Sequence, residues 1–323
     1  MNYRPLGKTD LQVSEIGFGG WGIGGYKQHL KAYGPKDDRT SLFTLDTSLD
    51  NGITFYDTAN SYGAGHSEEL LGKAFKFKRD KVIIATKGGY LNTFTPNGKN
   101  QDFSSKAIVK SIDESLTRLQ TNYIDLYQIH DCPLSELSNE TLSTLLKLKE
   151  YGIIRAVGFA GKSPDDTVKV LDDFEFDVVQ VNFNLTDMRA VKNGLFKKCA
   201  DLGVGIIART PLVFGFLTGD IDHNTSFHSS DHRLRFNHNQ IKKWMNVWDY
   251  YNKALIDYKF YSNPQKALVF CLSFNEVSVT NVGMSQIDHV IENVSAVNCP
   301  KFSPESITNC LNAYDQYYAA PLK

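Results

Sequence analysis

Short apolar runs that favour β-strands recur along the chain, and each is followed by polar residues and then by a segment with helical periodicity. Eight of these runs are predicted strands, at about residues 16–19, 54–57, 82–86, 124–129, 156–159, 177–181, 205–208 and 278–282. Strands that alternate with helices predict an α/β fold with a parallel sheet. Eight such units in 323 residues predict a single (β/α)8 TIM barrel, and we expect residues 1–323 to form one domain.

Two predicted segments lie outside this repeat. Residues 3–6 and 12–14 flank a polar turn at 7–10, which predicts an N-terminal β-hairpin. Residues 240–258 predict an extra helix before the eighth strand of the barrel. Both additions fit a barrel, because this fold tolerates insertions between its units.

The starts and faces of three helices are also predicted from the sequence. A helix over about 40–49 should turn Phe43 towards the core. Ser67 is the predicted N-cap of the helix after the second strand, and Ser285 with Asp288 is a predicted capping box after the eighth.

Polar side chains stand where three successive strands end. Asp57 and Tyr62 follow the second strand, Lys87 ends the third and His130 ends the fourth. Each alone has an ordinary explanation: a turn residue, a rim aromatic, an exposed lysine or a satisfied core histidine. Because active sites of α/β barrels lie at the carboxyl ends of the strands, one shared site explains the four residues better.

Composition and charge exclude several classes of function. Lys plus Arg number 35 and Asp plus Glu 36, and without a basic stripe we expect no nucleic-acid partner. The start MNYRPLGKTD has no apolar signal region, and no apolar run approaches the length of a membrane span. The five cysteines are scattered without a C-x-x-C motif, which predicts free thiols in a cytoplasmic protein. The His-rich stretch 220–239 has irregular spacing, so we expect a surface loop and no metal site.

Several motifs together resemble the aldo-keto reductases. They are Asp-Thr-Ala at 57–59 with Tyr62 and Gly63, Lys87 after its strand, Asp-Leu-Tyr at 125–127 through His130, the segment 180–182, and Pro-Leu at 211–212 with 215–219. The resemblance runs from residue 6 to about 298. It implies a barrel closed at its bottom by the hairpin and a catalytic tetrad of Asp57, Tyr62, Lys87 and His130. It also implies hydride transfer between a nicotinamide cofactor and a small carbonyl or sugar substrate, in a monomer or weak homo-oligomer.

The resemblance further implies a cofactor-binding set at the same end of the barrel. Its members are Gly20, Trp21, Asp57, Gln180, Thr210, Pro211, Leu212, Gly215, Leu217, Thr218, Gly219, Arg233, Gly283, Ser285, His289, Glu292 and Asn293. Trp21 and Gln180 have open alternatives as a packing aromatic and an ordinary barrel-interior polar residue.

Three positions depart from the family pattern around the nicotinamide. Ala160 and Gly161 stand where many members have Ser-Asn to hold the carboxamide, and Thr210 stands where an aromatic often lies under the ring. The chain also has no cation at 281–293, where NADP-specific members place one. We therefore expect NADP, with NAD open.

The four candidate catalytic residues suit one chemistry. A free phenol has a pKa of about 10 and is a weak acid near neutral pH. An ammonium beside it lowers that pKa, so Lys87 should assist Tyr62, while Asp57 holds the lysine and His130 orients the carbonyl. Two alternatives stay open at this stage. One is a regulatory subunit that binds cofactor without turnover, and the other is a barrel hydrolase that uses only Asp57 and His130.

Overall fold

The computed structural model describes residues 1–26, 32–91, 100–222 and 224–319. Its first two strands form an antiparallel hairpin, and eight parallel strands close a barrel in the order β10-β3-β4-β5-β6-β7-β8-β9. The strands are β1 Tyr3–Pro5, β2 Gln12–Ser14, β3 Ile16–Gly19, β4 Phe55–Asp57, β5 Ile83–Gly88, β6 Ile124–His130, β7 Ile154–Ala160, β8 Val178–Asn182, β9 Gly205–Arg209 and β10 Val277–Gly283. The predicted TIM barrel with an N-terminal hairpin is confirmed.

Helices surround the barrel between its strands. They are α1 Trp21–Gly24, α2 Asp38–Asp50, α3 His66–Phe75, α4 Ser105–Leu119, α5 Asn139–Glu150, α6 Pro164–Asp173, α7 Arg189–Lys192, α8 Leu195–Leu202, α9 His238–Met245, α10 Val247–Ala254, α11 Asn263–Leu272, α12 Ile287–Ser295 and α13 Pro304–Ala319. None of the helices in the described ranges is long and apolar enough to cross a membrane.

The hairpin closes the amino-terminal end of the barrel. Leu6, Leu11 and Val13 are buried against apolar side chains that the barrel strands turn inwards. The backbone N–H of Lys8 donates to the carbonyl of Gly203, which ties the hairpin to the start of β9. This end of the interior is apolar and filled, so an open site can form only at the carboxyl end.

The outer core lies between the strands and the apolar faces of the helices. In α4, Ile108, Ile112 and Leu119 are buried on one face, and Ser104 caps the helix by accepting the backbone N–H of Ala107. Each fully buried side chain of this size stabilises the fold by about 1.5–3 kcal/mol. These buried residues are four and seven positions apart, which is the spacing of a single helix face.

Two predictions about helix starts are wrong because tertiary contacts override the local signal. The N-cap of α3 is Gly65, in the left-handed region, and Ser67 lies inside the first turn, where its hydroxyl donates to the carbonyl of Gly20. The N-cap of α12 is Gln286, which makes no side-chain cap, so Ser285 and Asp288 form no capping box.

Two further details differ from the sequence expectations. Helix α2 starts at Asp38, and Phe43, which was expected to face inwards, is 60% exposed. The single helix expected at 240–258 is divided at Asn246 into α9 and α10, and a short 3-10 turn follows. Neither difference changes the barrel.

Candidate active site

Lys87 lies at the centre of the candidate site, near the carboxyl end of β5. Its side chain is fully buried. The ammonium donates to Asp57 Oδ2 at 2.6 Å, to the carbonyl of Thr58 at 2.8 Å and to the hydroxyl of Tyr62 at 3.2 Å. All three protons of the ammonium are therefore committed, and one of them reaches the phenol.

Asp57, at the end of β4, is fixed from its other side by two amides. Its Oδ1 accepts from Gln180 Nε2 at 2.8 Å and from Gln128 Nε2 at 3.1 Å. The Gln180 amide also donates to Gln128 Oε1 at 3.2 Å. Gln180 was expected to hold cofactor, and here its amide nitrogen holds the carboxylate that pairs with Lys87.

Gln128 is a site residue that the sequence reasoning missed. A weak signal exists, because Gln128 and His130 lie two residues apart in β6 and share its inward face. A buried amide side chain needs a hydrogen-bond partner, so a glutamine on this face indicates a polar neighbour.

A tight turn after β4 places Tyr62. Gly63 has φ +61°, and a Cβ added there would lie 2.1 Å from the carbonyl oxygen of Gly24. The turn therefore packs directly on the backbone of α1. Trp21, on the same helix, has its ring centroid 6.4 Å from that of Tyr62.

His130 ends β6 beside the two tyrosines of the site. Its ring centroid lies 6.2 Å from that of Tyr62 and 4.8 Å from that of Tyr90. Burial, followed by the charges of Lys87 and Arg209, holds the pKa of His130 well below 6.5. The imidazole is therefore neutral near pH 7 and carries one N–H that can donate to a ligand.

The electrostatics of the lysine and the phenol correct one expectation. Burial acts most strongly on the pKa of Lys87 and lowers it, but Asp57 and Tyr62 together leave it above its ordinary value. Burial is also the largest effect on Tyr62 and raises its pKa, while Lys87 lowers it. The expected assistance from Lys87 exists, but burial outweighs it, and Tyr62 keeps its proton at neutral pH.

A second group of polar side chains, which sequence reasoning missed, lies on the other side of His130. The hydroxyl of Tyr90 donates to Asp131 Oδ2 at 3.2 Å, and Arg209 Nη2 lies 3.5 Å from Asp131 Oδ1. Arg209 also donates from Nη2 to the carbonyl of Gly161 at 2.9 Å and from Nε to Asn182 Oδ1 at 3.1 Å. The available signal was a charged residue as the last residue of β9.

The loop after β9 has the backbone of an anion site. Thr210, Val213 and Phe214 have positive φ angles of 61°, 46° and 59°, and Gly215 and Gly219 have 93° and 90°. The N–H groups of Val213, Gly215, Phe216, Leu217 and Thr218 donate to carbonyls within the turn itself, which leaves those of Leu212 and Phe214 for a phosphate. The rest of the expected set in this loop, Pro211, Leu212, Leu217 and Thr218, lies on the same turn.

Thr210 itself faces a neighbouring strand. Its hydroxyl donates to Asn182 Oδ1 at 2.8 Å, and so it presents no aromatic ring to the site. The aromatic groups nearby are Trp21 and Phe214, with ring centroids 6.3 Å apart.

Two segments join over the mouth of the barrel, and we call them the clasp: residues 32–36 and 227–236. Ala32 and Tyr33 each form a β-bridge with Asp231, and the backbone N–H of His232 donates to Ala32 O at 2.7 Å. The guanidinium of Arg233 donates two hydrogen bonds to the Asp231 carboxylate, at 2.8 and 3.0 Å, and the backbone N–H of Arg233 donates a third at 2.9 Å. The charge expected to bind cofactor at Arg233 is thus balanced within the clasp.

The second segment of the clasp, residues 227–236, lies within the His-rich stretch 220–239. His232 is buried between Trp21, at 4.3 Å between centroids, and Tyr33, at 4.6 Å. Neither of its ring nitrogens has a hydrogen-bond partner among the described residues. Within the described ranges, no three His, Cys, Asp or Glu side chains are placed to hold a metal ion; His223 lies outside those ranges.

The start of α12 forms the far end of the candidate site. A Cβ added at Gly283 would have no atom within 4 Å, and the N–H of Ser285 points to His289 Nδ1 at 3.4 Å. Asn293 is buried on the helix, whereas Glu292 accepts from the hydroxyl of Ser262 and so is directed to α11. The first turn of α12 has no side-chain cap, which leaves its N–H groups for an anion.

Lys36 is a further group that the sequence did not connect to this end. It belongs to the clasp, and no carboxylate of the described residues lies within ion-pair distance of it. Burial, then Arg233, lowers its pKa. Its charge in turn lowers the pKa of His289, whose main perturbation is burial. A lysine from before α2 therefore lies near the helix start at 285–289.

Residues 15–315 match the family model described as "Aldo/keto reductase family". The chain belongs to this family. It is 34% identical over 260 residues to the aldo-keto reductase YhdN of Bacillus subtilis, which covers 76% of this chain and 74% of that protein. It is 32% identical over 309 residues to the L-galactose dehydrogenase of Arabidopsis thaliana, with 91% and 87% covered. Among solved structures, the glycerol dehydrogenase AKR11B4 from Gluconobacter oxydans superposes with a TM-score of 0.79, at 26% identity and with 99% and 97% covered.

Membership decides the broad activity. Aldo-keto reductases are NAD(P)-dependent oxidoreductases, so this chain is an enzyme that interconverts a carbonyl and an alcohol with a nicotinamide cofactor. The relatives named above are reductases and dehydrogenases, which gives no support to a regulatory subunit without turnover.

The residues present fit a nicotinamide dinucleotide. This reductase offers a left-handed turn after β9 for a pyrophosphate and an uncapped helix start at α12 for the adenosine end. The paired strands β8 and β9 that lead to this turn carry the amide of Gln180 and the guanidinium of Arg209. The backbone donors left for an anionic ligand are the N–H groups of Leu212 and Phe214 and those of the first turn of α12.

Proposed function

We propose that this aldo-keto reductase transfers a proton from the Tyr62 hydroxyl to the oxygen of a small carbonyl substrate, in step with hydride transfer to the carbonyl carbon. The observation that carries the proposal is the Lys87 ammonium, which bonds Asp57 at 2.6 Å and the Tyr62 hydroxyl at 3.2 Å in one buried chain. A bound nicotinamide supplies the hydride, and the protein positions the two reactants.

Each residue has one role in this scheme. Tyr62 is protonated at neutral pH and can give its proton to the developing alkoxide. The phenolate that remains is stabilised by the Lys87 ammonium, and Asp57 keeps that ammonium charged. Neutral His130 donates an N–H to the same carbonyl oxygen and so fixes the substrate for attack.

We propose the following cofactor residues: Gly20, Trp21, Gln180, the turn 210–219, Gly283, Ser285, His289 and Asn293. The uncapped helix start and the left-handed turn support their use for phosphate groups. Glu292 and Arg233 are better assigned to the scaffold, because Ser262 and Asp231 already occupy them.

We propose a preference for NADP over NAD. Lys36 and His289 lie close enough for the lysine charge to lower the histidine pKa, and both are near the start of α12. A dianionic 2′-phosphate would relieve that repulsion, whereas the hydroxyl of NAD would not. Lys36→Gln should weaken binding of NADPH by about tenfold and leave NADH unchanged within about twofold. Fluorescence titration of both cofactors checks this, and equal losses for the two would remove Lys36 from discrimination.

The catalytic part is tested by a screen of aldehydes and sugars with NADPH and NADH, followed at the nicotinamide absorbance. With the best substrate, Tyr62→Phe should lower single-turnover hydride transfer by about 10²–10⁴-fold while cofactor affinity stays constant. Tyr251→Phe is the matched control, because its buried hydroxyl bonds Leu185 O outside the site. Near wild-type turnover in Tyr62→Phe would show that the proton comes from another group.

We also propose that the enzyme works as a monomer or weak homo-oligomer in a reducing compartment such as the cytoplasm. All five cysteines are free thiols, and four of them are buried. Burial raises the pKa of Cys132 and Cys199 to about 12, so neither is a reactive thiolate at neutral pH.

A further inference from the structure

Arg209 occupies the junction between the candidate catalytic group and the candidate cofactor group. It is the last residue of β9 and directly precedes the left-handed turn at Thr210. Its charge lowers the pKa of both His130 and Tyr62, behind larger effects of burial and of Lys87. A nicotinamide that delivers hydride next to Tyr62 has to lie in this same space.

Strand β7, which is separated from β9 only by β8, supplies no side-chain donor there. The residues that end β7 are Ala160 and then Gly161, and neither has a polar side chain. The guanidinium of Arg209 fills this gap: it lies against the Gly161 carbonyl at 2.9 Å and the Asn182 amide oxygen at 3.1 Å. These bonds use Nη2 and Nε and orient the planar fork, and Nη1 has no recorded hydrogen bond to the described residues.

We propose that Arg209 binds the carboxamide of the nicotinamide ring through its guanidinium and, by its charge, favours the reduced over the oxidised cofactor. The inference rests on the proposed function. The carboxamide oxygen is a good acceptor for a planar N–H fork, and Gln180 Nε2 is already committed to Asp57.

The preference for one redox state follows from charge. The oxidised nicotinamide ring carries a positive charge and the reduced ring carries none, so a fixed guanidinium nearby repels only the oxidised form. Asp131 offsets part of this charge, but its Oδ1 lies 3.5 Å from Nη2, and its Oδ2 accepts from Tyr90. Arg209 is among the charges that lower the pKa of His130 and Tyr62, and Asp131 is not among those that raise it, so the guanidinium is the charge of this pair that acts on the ring site.

The experiment is a set of binding titrations on the full-length chain with NADPH and with NADP+, and it needs no substrate. In Arg209→Gln, the dissociation constant for NADPH should rise about tenfold, because a charge-assisted hydrogen bond is lost. The constant for NADP+ should rise less, so that the ratio of the NADP+ to the NADPH constant falls about threefold or more.

Two further variants make the outcome decisive. Arg209→Lys keeps the charge without the planar fork. It should weaken the binding of NADPH, while the ratio of the NADP+ to the NADPH dissociation constant stays as in the wild type. Arg189→Gln is the matched control, since that arginine pairs with Asp187 on an outer helix and should change nothing. The inference would be overturned if Arg209→Gln lost the same affinity for both cofactors, or lost no affinity for either. Failure of the wild type to bind either cofactor would instead refute the proposed function.

Discussion

The substitution Asp57→Asn should create a new pH dependence in this enzyme. In the wild type, Asp57 and Tyr62 together raise the pKa of Lys87 against the burial that lowers it. An asparagine of the same shape removes the negative charge and leaves a buried ammonium without a counter-ion. Burial, the largest single effect on this lysine, then dominates, and the pKa of Lys87 falls below its ordinary value.

Two losses of different size are expected. Asp57 accepts three hydrogen bonds, from Lys87, Gln128 and Gln180. An asparagine has an NH2 group in place of one carboxylate oxygen, so at least one of these three donors would face another donor. Breaking a buried ion pair by removal of one partner costs about 3–5 kcal/mol of stability. For catalysis, the variant should be only about tenfold slower while Lys87 stays charged, because the ammonium still reaches the Tyr62 hydroxyl. Once Lys87 is neutral it no longer assists Tyr62, and the rate should fall to that of a variant without any ammonium at this position, Lys87→Met.

The assay is single-turnover hydride transfer across a pH series, with the urea midpoint measured on the same samples. The wild type should stay level through neutral pH, because the pKa of Tyr62 lies above its ordinary value and that of His130 well below. Asp57→Asn should lose rate as pH rises through the lowered pKa of Lys87, at a pH where the wild type is still level. Asp125→Asn is the matched control: it removes a buried carboxylate paired with Arg79 at 2.6 Å, so it should lose stability without a new pH limb. A profile of Asp57→Asn parallel to the wild type would refute the role given to the ion pair.

Two further predictions concern the clasp and the Tyr62 turn. Burial lowers the pKa of His232 to about 3, against about 6.5 in an unfolded chain. Its contribution to stability is therefore complete above pH 6.5 and is lost as pH falls below that value. At pH 5 the free energy of unfolding should be lower by at most about 2 kcal/mol. Urea unfolding at pH 7 and pH 5 should show this loss in the wild type and not in His232→Phe, and an identical loss in both would exclude this histidine. In Gly63→Ala, the added Cβ would lie 2.1 Å from Gly24 O, so the turn would have to shift and displace Tyr62. Because a misplaced catalytic group slows the chemical step, turnover should fall by about tenfold or more. The control is Gly152→Ala, with φ +72° and no atom within 4 Å of the added Cβ, and equal effects of the two changes on turnover would contradict the argument.

The strands and the four candidate catalytic residues were predictable because their signals are local. Each strand is an apolar run, and each candidate residue lies in or just after the polar end of its strand. The pattern of apolar residues and the position of the polar residue along the chain are therefore enough to predict both. The strand bounds differ from those predicted by one or two residues, as at β7, which begins at Ile154 and not at 156. Such extensions depend on pairing with neighbouring strands, and local composition does not contain that information.

Long-range partners account for what could not be predicted. Gln128 bonds Asp57 across 71 residues of sequence, and Arg209 meets Asp131 across 78. Ser67 looked like a helix cap, but its hydroxyl reaches the carbonyl of Gly20, which lies 47 residues earlier. In each case the sequence shows the type of side chain, but its hydrogen-bond partner depends on the three-dimensional fold.

The direction of the Tyr62 pKa shows how such contacts change a chemical conclusion. A lysine next to a phenol predicts a lowered pKa when only the pair is considered. In the folded chain, burial acts on the phenol more strongly than Lys87 does, and Asp57 opposes the lysine as well. A tyrosine that keeps its proton is the form needed to reduce a carbonyl, whereas an oxidation needs the phenolate. The same environment that protects the proton therefore favours reduction near neutral pH, and a rise in pH should favour oxidation of the alcohol.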